Sequence, residues 1–200
     1  MDIADLHFEH IYNKKVLQKL TNLYGYLHQH HLELEFSSQS MLDLMEKMNK
    51  KQRRGEVVMV VPDKQNQIWL HTKPFYPNGV YRLMTGGLDP GEKPDAALKR
   101  EVREETGFKV DIDRCLAAIT YTLRANEQVQ PFVSYVFLTK RTKTQPQPLD
   151  TSENITGFQA VPVAALAEVA SALRSLEGDF ADWGRFRAVA HEVVYELLQA

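Results

Sequence analysis

The apolar pattern of this chain changes period twice, and no other feature narrows the folds open to it as sharply. Val16, Leu17, Leu20, Leu23, Tyr24 and Leu27 recur at helical spacing, and a second stripe of Met41, Leu44, Met45 and Met48 follows capping candidates at Ser37 and Ser38. From residue 57 the spacing becomes that of strands. "EVVMVV" and "QIWLHTK" flank the turn-like "PDKQNQ" and read as a strand pair, and "VYRLM", "CLAAITYTL" and "PFVSYVFLTK" read as further strands. Helical spacing then returns: Pro162 opens a helix through about Leu176, and Trp183, Phe186, Ala190, Val193, Val194 and Leu197 stripe a last one. Strands bracketed by helices imply an α/β or α+β fold whose helices cover a sheet. The expected division is a helical extension at 1–52, a core at 53–165, and helices at 166–200 packed on that core. The basic stretch "KKQRRGE" joins the first two.

Composition closes off several classes of function. With 44% hydrophobic residues the chain can bury a core, and a net charge of −2 gives no global positive field to recruit nucleic acid. The single cysteine, Cys115, cannot form an intramolecular disulfide and fits a reducing compartment. The first residues, "MDIADLHFEHIYNKK", are acidic and broken by charge, unlike a signal peptide. No uncharged apolar run approaches the roughly 18 residues of a membrane span. A soluble, cytoplasmic protein without membrane attachment is expected.

The densest charge lies in "KREVREETGF", at 99–108. Pro94 suits the first turn of a helix, and Gly107 suits its end. On that helix Glu101, Glu104 and Glu105 stand at i, i+3 and i+4, so they share one face. In a partly enclosed site, two carboxylates about 6 Å apart repel by about 3 kcal/mol at an effective dielectric of about 20. Arg100 can relieve part of that, and a divalent cation relieves more. Hard oxygen ligands suit Mg²⁺ or Mn²⁺. By itself "REVREE" fits a solvated surface helix better than a metal site.

The residues upstream decide between those readings. Gly86, five residues, Glu92, seven residues and then Arg100-Glu101-Val102-Arg103-Glu104-Glu105-Thr106-Gly107-Phe108 resemble a complete Nudix box, G-x5-E-x7-R-E-U-x-E-E-x-G-U, with U a bulky apolar residue. Seven fixed letters at ordinary usage and two apolar ones give chance odds on the order of 10⁻⁹ to 10⁻¹⁰ per window. The strand pattern extends the resemblance to roughly residues 55–165.

The resemblance implies a Nudix-type α/β/α sandwich around a mixed β-sheet. It also implies hydrolysis of a nucleoside diphosphate linked to another group, with Mg²⁺ or Mn²⁺. Glu101, Glu104 and Glu105 become the metal carboxylates. The carbonyl of Thr85 becomes a further ligand, and Glu92 supports the acids through Arg100 or an outer-sphere metal contact. Gly86, Gly87 and Gly91 let the loop fold tightly, and Gly107 closes the helix. The general base is a box glutamate or an acid of the long polar loop 141–155, where Asp150 and Glu153 are the candidates. Glu153 resembles the family's distal acid. Arg82, on a strand beside the box, is a candidate phosphate contact. Nucleotide sugars and ADP-ribose-like compounds lead as substrates, with nucleoside triphosphates second, and the extra helices suggest a homodimer. Where the family often has Leu-Pro-Gly-Gly, this chain has Leu83-Met84-Thr85-Gly86-Gly87, which loosens the loop entry without removing a carboxylate.

Two other functions fit this sequence less well. A noncatalytic Nudix-fold metabolite sensor usually has an eroded box, and this box is intact. Allylic diphosphate isomerisation on the same fold wants a catalytic cysteine, whereas Cys115 sits in an apolar run. His28, His30 and His31, read as helical, lack partner acids for a metal site. "DWGRFRAVAH", at 182–191, reads as an amphipathic terminal helix packed on the domain or on a partner chain.

Overall fold

The computed structural model describes residues 8–199. Its elements run α1 (Lys14–Tyr24), β1 (His28–Phe36), α2 (Gln39–Lys50), β2 (Gly55–Val60), β3 (Ile68–Thr72), β4 (Arg82–Gly87), α3 (Pro94–Thr106), β5 (Ile112–Ala125), β6 (Gln128–Thr139), β7 (Gly157–Val161), α4 (Leu166–Arg174) and α5 (Ala181–Gln199). The strands form one mixed sheet of seven in the order β1-β5-β6-β2-β4-β3-β7. β1 lies parallel to β5, and β2 lies parallel to β6; the other neighbours are antiparallel.

Period-two alternation sends each strand's side chains to two separate cores. Val57 and Met59 of β2 join Tyr135 and Phe137 of β6 beneath α1 and α3. Val58, Val60 and Val136 face the opposite way, beneath α2, α4 and α5. Helices therefore cover both faces, and the α/β sandwich is complete. Among the described residues no helix is long and apolar enough to cross a membrane.

Several expectations need correction. The N-terminal region, expected as two helices, is helix, strand, helix, and its first seven residues lie outside those described. Gly25 stops α1 at a φ of 81°. "HLELEF" then alternates with period two, exposing Glu33 and Glu35 while Leu32 and Leu34 pack on the core. Nine residues of β1 add to β5, so His28, His30 and His31 belong to a strand. His31 packs its Nδ1 3.0 Å from the Thr120 hydroxyl.

The expected pairing of "EVVMVV" with "QIWLHTK" survives only beside the turn, as a bridge between Pro62 and Ile68. β4 separates β2 from β3 elsewhere. Gly86 and Gly87 are the last residues of β4, not loop. The helix expected from Pro162 begins as a 3-10 turn at Val163–Ala165 and becomes α-helix at Leu166.

The C-terminal helix is built into the domain. Trp183, Phe186, Val189 and Val193 are buried against the sheet, and Arg187 reaches Glu56 of β2 at 2.8 Å. Asp182 accepts backbone N–H bonds from Ser37 and Ser38 at 2.6 and 2.7 Å, tying α5 to the start of α2.

Candidate active site

α3 begins at Pro94, whose missing N–H costs nothing in a first turn, and ends where Gly107 takes a φ of 73°. A Cβ at Gly107 would also stand 2.8 Å from the Gln147 carbonyl oxygen, so a second constraint holds glycine there. Ala97, Leu98 and Val102 pack into the core, and Glu101 and Glu105 are buried along with them. Glu104 lies one step around the helix and is half exposed. Burying two carboxylates beside an apolar seam is costly without compensating charge. Two cations supply it.

The first is Arg100. Its Nε and one terminal nitrogen donate to the two Glu92 oxygens at 2.9 and 2.7 Å. Its other terminal nitrogen donates to Glu101 at 2.7 Å and to Glu104 at 3.1 Å. A further bond at 3.1 Å reaches the Gly87 carbonyl. One guanidinium thus joins the loop acid, two box glutamates and the end of β4. Glu101 is pressed against β4 itself: a Cβ at Gly86 would stand 2.1 Å from its Cγ and Cδ. Any side chain at 86 expels that carboxylate.

The second cation is Lys73, which follows β3. Its Nζ lies 3.3 Å from Glu105 Oε1 and 2.7 Å from Glu153 Oε2. Glu153 is brought there by the long polar loop, which first closes the end of α3. Gln147 donates its N–H to the Thr106 carbonyl, and Leu149 and Asp150 donate theirs to the Glu104 carbonyl. The Asp150 carboxylate is then used locally, accepting from the Ser152 N–H at 2.8 Å. Of the two loop acids, Glu153 is the one salt-bridged into the box.

The electrostatics follow from this arrangement. Burial pushes the Glu105 carboxyl up to about 7; Lys73 and Arg82 pull against that shift, while Glu153 and Glu101 add to it. Burial also raises Glu101, with Arg100 opposing and the charges of Glu104 and Glu153 adding. The Glu153 charge is therefore felt by both buried acids. His71, fully buried, lies with Nδ1 3.4 Å from Glu105 Oε2, in contact but not hydrogen-bonded. Burial, then the cations Arg82, Lys73 and Arg187, hold its pKa well below the usual histidine value, so it is a neutral neighbour.

Arg82 is not at the surface. It is buried behind Glu105, donating to the Leu83 carbonyl at 2.6 Å, to the Thr85 hydroxyl at 3.2 Å and to the Tyr76 hydroxyl, with its guanidinium over the Tyr76 and Trp183 rings. That makes it a fixed inner cation. Thr85 pairs with Val58 in β4, and its hydroxyl faces Arg82 and Arg187. Gly91 turns the loop at a φ of 80°. Cys115 is buried, and burial pushes its thiol up to about 12, which suits packing and not nucleophilic chemistry.

Lys73 and His71 carry no sequence signal that marks them. Each precedes the box by a different span, and only the β3-β4-β7 pairing brings them to it. Among the described residues, no three His, Cys, Asp or Glu side chains are already drawn together as a metal cage. Arg100 and Lys73 hold the carboxylates instead. Beside Glu104 opens a groove of about 730 Å³, walled by Phe108, Val110 and Leu149 and edged by Lys99, Arg103 and Lys109.

Comparison with known proteins places this geometry. The NUDIX domain profile matches residues 52–183. Two curated relatives match around the box. The NAD-capped RNA hydrolase NudC of Vibrio parahaemolyticus is 42% identical over 53 residues, 26% of this chain and 20% of that protein. The RNA pyrophosphohydrolase of Erythrobacter litoralis is 39% identical over 46 residues, 23% of this chain and 28% of that protein. The matches thus span under a third of those relatives. Among solved structures, the dihydroneopterin triphosphate pyrophosphohydrolase of E. coli superposes with a TM-score of 0.51 at 14% identity, covering 74% of this chain and 97% of that one. The MutT protein of Methanosarcina mazei gives 0.50 at 14% identity, covering 73% and 95%. These two show the shared fold. The profile match covers well over half of the sequence, and the chain belongs to the NUDIX domain family.

Proposed function

We propose that the chain hydrolyses a pyrophosphate linkage in a nucleoside diphosphate derivative, with Mg²⁺ or Mn²⁺ held by Glu101, Glu104 and Glu105. The observation that carries this is the pairing of the acids through two cations, Glu101 with Glu104 on Arg100 and Glu105 with Glu153 on Lys73, with Glu101 pressed against Gly86. The donor set fits the ion: hard carboxylate oxygens, one of them, Glu105 Oε2, buried without a hydrogen-bond partner. Thr85 is proposed to add its carbonyl. When bound, the ion would neutralise phosphate charge and lower the pKa of the attacking water.

The chain's own residues do the rest. Arg100 fixes the orientation of Glu101 and Glu104 against Glu92. The base that takes the water proton is a box glutamate or Glu153, whose carboxylate lies 2.7 Å from the Lys73 ammonium. The groove beside Glu104, of a size that suits a small ligand, is proposed to take the nucleotide part, its three cations meeting phosphate and its apolar wall meeting the base.

The test is a hydrolysis panel with Mg²⁺: nucleotide sugars, ADP-ribose, dinucleoside polyphosphates, NADH and nucleoside triphosphates. NAD-capped and 5′-triphosphate RNA are added because two relatives carry RNA-directed names. Cleavage of at least one member is expected. If none is cleaved and one binds tightly without metal, the chain is instead a Nudix-fold sensor.

A further inference from the structure

Arg100 and Lys73 both neutralise box acids, but they are held in different ways. Arg100 is anchored outside the cluster, by two bonds to Glu92 and one to the Gly87 carbonyl. It can stay in place whatever binds the acids. The Lys73 ammonium is held by Glu105 Oε1 and Glu153 Oε2, and its side chain is only 10% exposed. A lysine ammonium has three donors and no acceptor, on a flexible four-carbon stem. It cannot share an oxygen's metal-facing position with a divalent ion. It occupies, in effect, one cation position of the cluster already.

The rest of the surroundings agree. The groups facing Lys73 are Glu105 from α3, Glu153 from the loop, and behind them neutral His71 and the inner cation Arg82. Take the ammonium away without replacement, and the mutual repulsion of Glu101, Glu105 and Glu153 is left to Arg100 and Arg82 to relieve. Leave it in place, and a divalent ion meets carboxylates that are already paired.

We propose that Lys73 is the resident counterion of the unloaded site, and that a divalent cation loads by displacing its ammonium from Glu105 and Glu153. This rests on the metal reading above. Lys73 is a positioning residue: it keeps the acids converged before loading, and its departure is part of the binding equilibrium. An exchange of this kind favours divalent over monovalent ions, because one added positive charge merely replaces the one expelled.

The test uses the full chain and Mn²⁺, followed by electron paramagnetic resonance, with thermal melting in EDTA and at saturating Mn²⁺. Lys73→Met is expected to bind Mn²⁺ about tenfold more tightly than wild type, while Lys140→Met, the same change of net charge at an exposed position, shifts affinity less than threefold. In EDTA the Lys73→Met chain is expected to melt lower than wild type, and at saturating Mn²⁺ to match or exceed it. A lysine with a merely structural role would lower both melts. Should Lys73→Met fail to fold, the wild-type Lys73 ammonium ¹⁵N resonance, assigned by its loss in Lys73→Arg, is expected to move on Mg²⁺ addition. A Mn²⁺ affinity within threefold of wild type, equal loss of melting temperature in both conditions, or an unmoved ammonium resonance overturns the proposal. If wild type takes up no Mn²⁺, the metal reading itself falls, and this one with it.

Discussion

Replacing Glu105 by Gln separates the electrostatics of this site from its chemistry. Burial raises the Glu105 carboxyl from 4.5 to about 7. A folded-state pKa raised above the unfolded one contributes stability that is complete below the unfolded value and is lost as pH rises through the folded one. With metal removed, the wild-type chain should therefore lose up to about 3 kcal/mol from this group between pH 4.5 and 8, at 1.36 kcal/mol per pKa unit. Glutamine carries no such dependence. Its amide, placed where Oε2 already has no partner, costs about 1–3 kcal/mol. At pH 5, where the wild-type carboxyl is protonated, Glu105→Gln should be equal to wild type or less stable. At pH 8 it should be more stable by about 1 kcal/mol, or roughly 2–4 °C in Tm for a chain of this size. Urea denaturation in EDTA at several pH values measures the difference, in which other titrating groups cancel. A stability gap that does not change with pH, or one that turns against the variant as pH rises, refutes the reasoning.

Other perturbations reach the site by separate routes. Gly86→Ala puts a Cβ into the Glu101 side chain and should cost about 1–3 kcal/mol by overpacking, with a larger loss of turnover than of stability, read by urea denaturation alongside kinetics. Asp182→Ala leaves the Ser37 and Ser38 N–H groups unpaired and should cost about 1–3 kcal/mol with kcat unchanged. Burial opposes the ionised Asp182, but those backbone bonds outweigh it and hold its pKa below 3.8, so the cost should fade as pH drops beneath that value. Glu153→Gln should lower turnover and also weaken the hold on Lys73, seen as tighter Mn²⁺ competition at Glu105.

The box was legible because its chemistry is local. Glu101, Glu104 and Glu105 sit within five residues of one another, and helical geometry alone puts them on one side. Pro94 and Gly107 mark the ends of that helix, and the structure places them at those ends. Strand identity was legible wherever β-branched and aromatic runs were long, as in β2, β5 and β6. β1 was not, because "LHQHHLELE" is too polar to read as a buried strand. It forms through nine-residue pairing with β5, about 90 residues away, and pairing at that range leaves no local mark. For the same reason β4 was not foreseen between β2 and β3. Lys73, His71 and Arg82 sit on or beside those strands, so the second half of the charge balance was invisible in the box itself. Arg82 shows the converse: proximity in sequence suggested a phosphate contact, and the fold turns it inward against Tyr76 and Trp183.

The account stands on the box carboxylates acting through a divalent cation. The most direct measurement is the rate of pyrophosphate cleavage, on whichever panel member is turned over, against Mg²⁺ concentration for wild type, Glu104→Gln and Glu105→Gln, each shown folded by circular dichroism. Wild-type turnover should rise from zero in EDTA to saturation, with both variants lower by orders of magnitude at every Mg²⁺ concentration. Full-rate cleavage in EDTA, or variants that match wild type, would contradict it.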